Sequence, residues 1–564
     1  MISLKRFMKI GSVIVGLMVN VFTTSSAAHP LNLYGRHAEG KNGVVAAAKP
    51  EVSQIGVEVL QKGGNAVDAA VATAFAISVF EPNASGIGGG GFMLIRMAKT
   101  GKTVVIDYRE KAPAKATPDM FVLDENGKVI NDEIIVGGKA SGVPGTVAGL
   151  LTALEKYGTM KRADVMAPAI KYAKEGIPVT VNLESIIKDN YEKLAQFDAA
   201  AEIYLKDGLP YEIGDIIKNP DLARTLTKIS KEGKKAFYEG EIAKKIADEV
   251  QKQGGLMTVE DLKNYTIEER EPVVGKYRDY TIISCPPASS GGTHIVQLLN
   301  MVENYDLKAM GDNTPESWHV WAESMRQAFA DRAEYMGDTA YVKVPLKGLT
   351  SKEYAKELVK KIDLEKAGKD IKAGDPSKYE SGSTTHFSVM DKEGNMVAVT
   401  QTINYFFGSG VVVPGTGIMM NNEMDDFVPQ KNMKNSIEGG KRPLSSMSPT
   451  LVLDPKNRPL MTIGSPGATR IITGVAQVIS LVLDYGMDIQ DAIDFPRIHD
   501  DYDKLVCETR IDPAVIAKLK TMGHNVVEEA DYFEYPCVQG VTMGEDGKLR
   551  GGADPRRDGK ALGF

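Results

Sequence analysis

Polar and apolar positions alternate on both sides of residue 393. Thr384 to Met390 and Met396 to Thr402 each show the period of two that sends successive side chains to opposite faces of a strand. Between them, Asp391-Lys392-Glu393-Gly394-Asn395 supplies a five-residue turn, with Gly394 and Asn395 at places that call for positive φ. Pairing symmetric about Glu393 sets Thr402 opposite Thr384. A second hairpin is predicted from Phe92 to Arg96 and Thr103 to Tyr108, turning at Lys99-Thr100-Gly101-Lys102.

Helical spacing runs over Pro50 to Lys62, stopping at Gly63-Gly64, and over the Ala-rich stretch Ala66 to Phe80. Residues 145–265 read as mostly helical, including Ile242 to Gln253, and so do 316–337 and 351–369. The texture then changes. Residues 384–465 are rich in Val, Thr, Met and Gly with strand spacing, and Val475 to Leu483 is a buried helix. The polar, Gly-containing segment 366–383 reads as a loop feeding into Thr384. The chain is thus α+β, mainly helical first and strand-rich around Thr384, with no internal repeat.

The 564 residues are 43% hydrophobic and 25% charged, an ordinary globular balance with enough chain for a large layered unit. Lys5, Arg6 and Lys9, the apolar run Ile10 to Phe22, and the small residues Ser26-Ala27-Ala28 make residues 1–28 a signal peptide, in preference to a retained anchor. Without that segment, 64 basic side chains face 74 acidic ones. The deficit of positive charge argues against nucleic acid as partner, and no membrane association is expected after signal removal. Three cysteines, Cys285, Cys507 and Cys537, exclude a disulfide scaffold and a four-thiolate zinc site; a Cys507–Cys537 bridge is open, with three small buried side chains the simpler reading.

The hairpin also carries chemistry. Ser383-Thr384 reads as a scissile bond. Once it is cut, Thr384 holds a nucleophilic hydroxyl and an α-amine base on one residue. A Thr402 hydroxyl opposite it is placed to orient the nucleophile. From the pattern alone, two threonines on an ordinary hairpin are the plainer interpretation, because Thr is common in strands. Further along, Asn421-Asn422-Glu423-Met424-Asp425-Asp426-Phe427 lacks the ligand ladder of a calcium loop and is a solvated acidic turn or something more specific. Lys441 to Thr450 is dense in hydroxyls, and Gly464-Ser465-Pro466-Gly467-Ala468-Thr469-Arg470 makes a bend whose amides can receive an oxyanion. Gly86 to Gly91 satisfies G-x-G-x-x-G literally, but a strand comes after it rather than a helix, so close backbone packing is expected there instead of a dinucleotide. The seven histidines show no metal-ligand spacing, and His386, two residues from Thr384, is read as structural.

Taken together, Thr-Thr-His-Phe-Ser from 384, Asn-Asn-Glu-Met-Asp-Asp-Phe from 421, Arg-Pro-Leu-Ser-Ser-Met-Ser-Pro-Thr from 442 and Gly-Ser-Pro-Gly-Ala from 464 resemble the signature blocks of the γ-glutamyltransferase family. So do Lys-Gly-Gly-Asn-Ala-Val-Asp-Ala-Ala from 62, Gly-Gly-Gly-Gly-Phe-Met from 88 and Asp-Tyr-Arg-Glu-Lys-Ala-Pro-Ala from 107. The seven blocks occur in order from about residue 45 to the C-terminus.

The resemblance implies a four-layer αββα sandwich of the N-terminal nucleophile hydrolase type. It also implies an exported, periplasmic or secreted proenzyme that cuts itself between Ser383 and Thr384. The products would be a large subunit, 29–383, and a small subunit, 384–564, intertwined as a heterodimer, with association of two heterodimers left open. It implies Thr384 as nucleophile, Thr402 as its support, and the amides of Gly467 and Ala468 as oxyanion site. Arg109, Ser445 and Ser446 would hold the donor's α-carboxylate, and Asn404, Glu423 and Asp426 its α-ammonium. Substrates would be glutathione and other γ-glutamyl compounds, with water or an amino acid or dipeptide as acceptor, and neither metal nor organic cofactor.

Two departures from the family pattern stand out. Gly467-Ala468 replaces the usual Gly-Gly, and residues 427–441 form a short segment without tyrosine where many members carry a tyrosine-bearing lid. A more open pocket is therefore expected, suited to longer donors such as poly-γ-glutamate. A glutaryl-type (cephalosporin) acylase and a non-enzymatic γ-glutamyl binding protein are the rival readings.

Overall fold

The computed structural model describes residues 35–369, 371, 384–502, 504–529 and 536–564. Residues 1–28, Ser383 and the aromatic cluster Tyr532, Phe533 and Tyr535 lie outside these. The chain divides into Met1–Arg36 and His37–Phe564, and the strands and helices that build the site all belong to the second unit.

The strands that position the site form two seven-stranded antiparallel sheets. In chain order they are β1 (Ala38–Gly40), β2 (Gly43–Ala47), β3 (Gly90–Arg96), β4 (Thr103–Asp107), β5 (Glu268–Arg270), β6 (Val273–Tyr277), β7 (Tyr280–Ser284), β8 (Thr384–Asp391), β9 (Met396–Thr402), β10 (Thr450–Leu453), β11 (Pro459–Gly464), β12 (Gln539–Met543), β13 (Leu549–Ala553) and β14 (Lys560–Gly563). The first sheet has the order β14-β2-β8-β9-β3-β4-β5, and the second β1-β13-β12-β11-β10-β7-β6. Helices α1 (Pro50–Gln61), α2 (Ala66–Phe80) and α3 (Thr146–Tyr157), with the helical stretch 162–263, cover the first sheet. Helices α4 (Gly291–Val302), α5 (Pro315–Tyr335) and α6 (Arg470–Leu483) cover the second. The order of layers is αββα, as the resemblance implied.

The period-two pattern of the central hairpin accounts for this layering. Phe387, Val389, Val397 and Val399 point toward the α1–α3 layer and share its core. Met390, Met396 and Ala398 point the other way, into the core shared with β10 to β13. A strand buried on both faces must be apolar or hydrogen-bonded on both. His386 obeys this rule. Its ring nitrogens lie 2.8 Å from Thr400 Oγ1 and 3.1 Å from Ser388 Oγ, and burial depresses its pKa to about 3.

Helix α2 is buried along its whole length, which its alanines permit. Its N-terminus is closed twice. Asn65 and Asp68 form a capping box, and Asp391 of the hairpin accepts the Ala66 N–H at 2.8 Å. The hairpin turn differs slightly from expectation, because Asp391 still belongs to β8 and only Gly394 takes positive φ, at 79°. Asn395 is instead held by side-chain bonds to Asp391 at 2.8 Å and from the Ala98 N–H at 2.9 Å.

The helix expected over 351–369 covers only Lys352–Val359. Beyond it the chain is drawn onto neighbouring elements, with the Asp363 carbonyl on His319 and the Ala367 N–H on the Met522 carbonyl, both at 2.8 Å. The three cysteines are free and buried.

Candidate active site

Thr384 opens β8 and Thr402 closes β9, and the register pairs them directly. Thr384 Oγ1 donates to Thr402 Oγ1 at 3.2 Å, and Thr402 Oγ1 also accepts the Asn404 N–H at 2.8 Å. Both hydroxyls are buried, with Thr384 5% exposed. The Thr384 carbonyl accepts from Arg557 Nη1 at 2.8 Å, and Thr385 Oγ1 donates to Glu81 Oε2 at 2.7 Å.

The glycine run Gly88 to Gly91 passes beside this pair. A Cβ on Gly89 would sit 1.9 Å from the Thr402 carbonyl, and one on Gly90 2.5 Å from Glu110 Oε2. Glycine is required here by close backbone approach, as the sequence suggested. That contact brings an acidic cluster alongside the hairpin.

A chain of hydrogen bonds ties the hairpin end to that cluster. Asn404, at φ +71°, donates from Nδ2 to the Asn422 carbonyl at 3.1 Å. Asn421 bonds the carbonyls of Gly88 and Gly142 and accepts the N–H groups of Gly142 and Glu423. This fixes the short 3-10 turn Glu423–Asp426. From it Glu423 and Asp426 reach the Arg109 guanidinium, which bonds Glu423 Oε1 through Nη1 and Asp426 Oδ2 through Nη2. Arg109 also approaches the carbonyls of Pro443 and Leu444 at 3.4 and 3.3 Å and Glu110 Oε2 at 3.5 Å.

The residues expected to hold opposite ends of a ligand therefore hold each other. The carboxylates nearest to Arg109 in sequence are those of Asp107 and Glu110. Asp107 takes its backbone N–H at 3.0 Å, and the guanidinium turns mainly to the distant Glu423 and Asp426.

One guanidinium meets three carboxylates. Burial alone would lower the Arg109 pKa, but Glu423, Asp426 and Glu110 raise it. Burial raises Glu423 despite Arg109, and lifts Glu110 from the ordinary 4.5 to about 7. Asp425 rises to about 8 by burial and the nearby Asp426, against a hydrogen bond with Tyr405. Among the described residues, no nitrogen or hydroxyl donor reaches the buried Glu110 Oε1 or Glu423 Oε2. Such orphaned acceptors mark where a donor-bearing cation would be stabilised.

The raised Glu110 pKa gives a stability prediction. Between pH about 4.5 and about 7 the folded state keeps a proton that the unfolded chain releases. Glu110's contribution is thus fully present below about 4.5 and is lost as pH rises through about 7. Glu110→Gln should flatten the fall in unfolding free energy across that window by an amount on the order of 2 kcal/mol, read as a flatter melting-temperature profile. Parallel calorimetric pH profiles for the two proteins would contradict it.

Ser445 and Ser446 come directly after the carbonyls that face Arg109. Ser445 Oγ accepts the Met447 N–H at 3.1 Å, and Ser446 Oγ accepts from Arg332 Nη2 at 3.0 Å. Arg332 also donates from Nε to Ser290 Oγ at 2.8 Å, and Ser290 Oγ donates to the Ser445 carbonyl at 2.8 Å. A hydroxyl whose oxygen already accepts has its proton left to donate. Arg332, from the last turn of α5, was not singled out in the sequence, and neither were Glu110 as a site carboxyl or Arg557. Arg332 and Arg557 find their site partners, Ser446 and the Thr384 carbonyl, more than a hundred positions away, so local pattern carries no signal of them.

Gly467 and Ala468 lie in the bend between β11 and α6, at φ +122° and +50°. Among the described residues, no acceptor takes either N–H. Ala468 in the left-handed region costs about 1 kcal/mol relative to glycine. The bend starts where a Cβ on Gly464 would lie 2.3 Å from His386 Cε1, two residues from Thr384.

His319, Glu323 and His524 bring ligand-type atoms within 4.8 Å of one another. Protein hydrogen bonds account for this cluster. His319 and His524 share a 2.8 Å bond, and Glu323 accepts from Arg326 at 2.8 Å and from the Gly368 N–H at 3.1 Å. His524 lies far off in sequence, so spacing could not show the cluster.

A model of the γ-glutamyltranspeptidase family matches residues 52–564. The glutathione hydrolase proenzyme of Escherichia coli (strain K12) is 45% identical over 532 residues, covering 92% of this chain and 90% of that protein. The crystal structure of cephalosporin acylase from Bacillus halodurans superposes with a TM-score of 0.86 at 30% identity, over 96% of this chain and 99% of the other. A chain of Helicobacter pylori γ-glutamyltranspeptidase matches at TM-score 0.56 and 44% identity, covering 59% of this chain and 96% of its own length.

Proposed function

From its membership of the γ-glutamyltranspeptidase family, to which this chain belongs, we propose that it is a self-processing γ-glutamyl transferase and glutathione hydrolase with Thr384 as nucleophile. The observation that carries this is the hydroxyl pair Thr384–Thr402, buried at the first residue of β8 and tied through Asn404 and Asn422 to an arginine–carboxylate cluster.

In maturation the Thr384 hydroxyl attacks the Ser383 carbonyl. The resulting ester is hydrolysed, giving fragments 29–383 and 384–564 and a free Thr384 amine. In turnover that amine takes the Thr384 hydroxyl proton as Oγ1 attacks the γ-carbonyl of the donor. The tetrahedral oxyanion rests on the N–H groups of Gly467 and Ala468. The amine then protonates the leaving amine, and a γ-glutamyl ester of Thr384 remains. Water releases glutamate from it, or an amino acid or peptide takes the acyl group. The apolar leader within residues 1–28 supports export before maturation. Among the described residues, no helix is long and apolar enough to cross a membrane.

Donor binding is dictated by the charges. The glutamyl end of a γ-glutamyl donor brings an α-carboxylate and an α-ammonium together, so that end adds no net charge. Arg109, Ser445 and Ser446 receive the carboxylate, while Glu423 and Asp426 turn to the ammonium with Asn404 beside it. One internal ion-pair cluster is exchanged for two intermolecular ones, and no buried charge is stranded.

The excess of carboxylate distinguishes this reading from a glutaryl acylase. A glutaryl amide has no ammonium to meet Glu110, Glu423 and Asp426. Intact-mass spectrometry of the purified protein should show a break before Thr384, and γ-glutamyl anilide should be turned over well ahead of glutaryl anilide. A single uncut chain, or a preference for the glutaryl compound, would refute the assignment.

A further inference from the structure

We propose that Arg557 positions the catalytic amine, holding a fixed positive charge beside the new N-terminus of Thr384 so that the amine stays unprotonated near neutral pH. This rests on Thr384 being the nucleophile.

Arg557 Nη1 donates to the Thr384 carbonyl at 2.8 Å, and the arginine is only 4% exposed. In an extended residue the N–H and C=O point to the same edge of the strand. The guanidinium therefore stands on the edge from which the α-amine emerges, roughly 5 Å from its nitrogen by standard backbone dimensions. Strand β2 pairs with β8 only from Ser388 to Asp391 and leaves this edge to Arg557. The same bond keeps Thr384 in place once the peptide to residue 383 no longer tethers it.

An α-amine ordinarily titrates near about 7.7–8.0, so much of it is protonated, and inactive as a base, at neutral pH. A permanent like charge disfavours the ammonium form. Among the described residues, Glu81 opposes it, with Oε1 3.9 Å from Arg557. Glu81 is bonded to Thr385, whose side chain points to the opposite face from that of Thr384. Arg557 is thus the nearer charge to the amine.

The remaining groups around this edge are already partnered. Asp558 pairs with Lys49 at 2.5 Å, and Arg556 pairs with Asp554 at 3.0 Å. Cys537 is a buried thiol pushed to higher pKa by desolvation. His386 bonds Thr400 and Ser388, and β9 contributes the neutral Thr402 hydroxyl. Phe406 covers the guanidinium, with its ring centre 5.7 Å away.

The test is the pH dependence of kcat/KM for a γ-glutamyl anilide, measured on protein whose cut state is first established by intact mass. Arg557→Gln should move the acidic limb up by about one unit, with roughly tenfold less activity below it and convergence toward the parent at high pH. Arg557→Lys should keep the limb near its original position. Glu81→Gln should move it down. If Arg557→Gln is not cut, Glu81→Gln decides, since a downward move supports the proposal and an unmoved limb overturns it. A uniform loss of kcat with no change of limb would also overturn it, because only a structural role would remain. None of these outcomes bears on Thr384 as nucleophile, which the Thr384→Ala variant tests separately.

Discussion

Thr384→Ala yields one uncut chain with no measurable turnover. The variant keeps the Cβ and the strand, so β8 still pairs with β9 and the fold stands. It removes the Oγ1 that must attack the Ser383 carbonyl in maturation and the donor carbonyl in turnover. It also removes the 3.2 Å bond to Thr402, a loss of about 1 kcal/mol. Loss of a nucleophile from a catalytic group lowers kcat by roughly 10⁶-fold, far beyond that stability cost. A denaturing gel and an anilide assay read both effects. Thr384→Ser, which keeps a hydroxyl, should still be cut. If the alanine variant matures and turns over substrate, the nucleophile lies elsewhere.

Arg109→Gln has the second largest expected effect. Removing one partner of a buried charge-assisted contact costs about 2–5 kcal/mol, so kcat/KM for γ-glutamyl donors should fall by roughly 30- to 5,000-fold, mainly through KM. The structure adds that Arg109 is also the cation around which Glu110, Glu423 and Asp426 are gathered. The variant should therefore melt at a lower temperature, because the buried Glu110 and Glu423 and the partly exposed Asp426 lose their common partner. Maturation should survive, since the attack on Ser383 needs no α-carboxylate contact. A donor whose α-carboxylate is replaced by an amide separates the two roles. It should be poor with the parent protein and lose little more with Arg109→Gln. Equal losses on both donors, or failure to mature, would make Arg109 a structural residue.

The hairpin was legible because its information is local. A period of two, a Gly-containing turn and a symmetric pairing sufficed to oppose Thr384 and Thr402, and β8 and β9 have that register. The helix Ala66–Phe80 was legible for the same reason, through its Ala-rich composition and apolar spacing. The helix over 351–369 was overextended, because propensity says nothing of the bonds that draw Asp363 and Ala367 onto His319 and Met522. Around Arg109 the neighbour Glu110 does reach the guanidinium, at 3.5 Å, but the main partners are distant. Asp107 and Glu110 were the near candidates, while Glu423 and Asp426 lie more than 300 positions away.

Sequence by itself determined the mainly helical first part and strand-rich remainder, the opposed threonines and the blocks that carry the family likeness, since each depends on spacing within a few turns of chain; the layered order came through the likeness. Tertiary structure decided which charges meet. It placed Arg109 among three carboxylates, Arg332 on Ser446 and Arg557 on the Thr384 carbonyl. The physical reason is that a side chain's ionic partner is chosen by proximity and exclusion of water in the folded core, where Coulomb energy is large, and no periodicity along the chain encodes that distance.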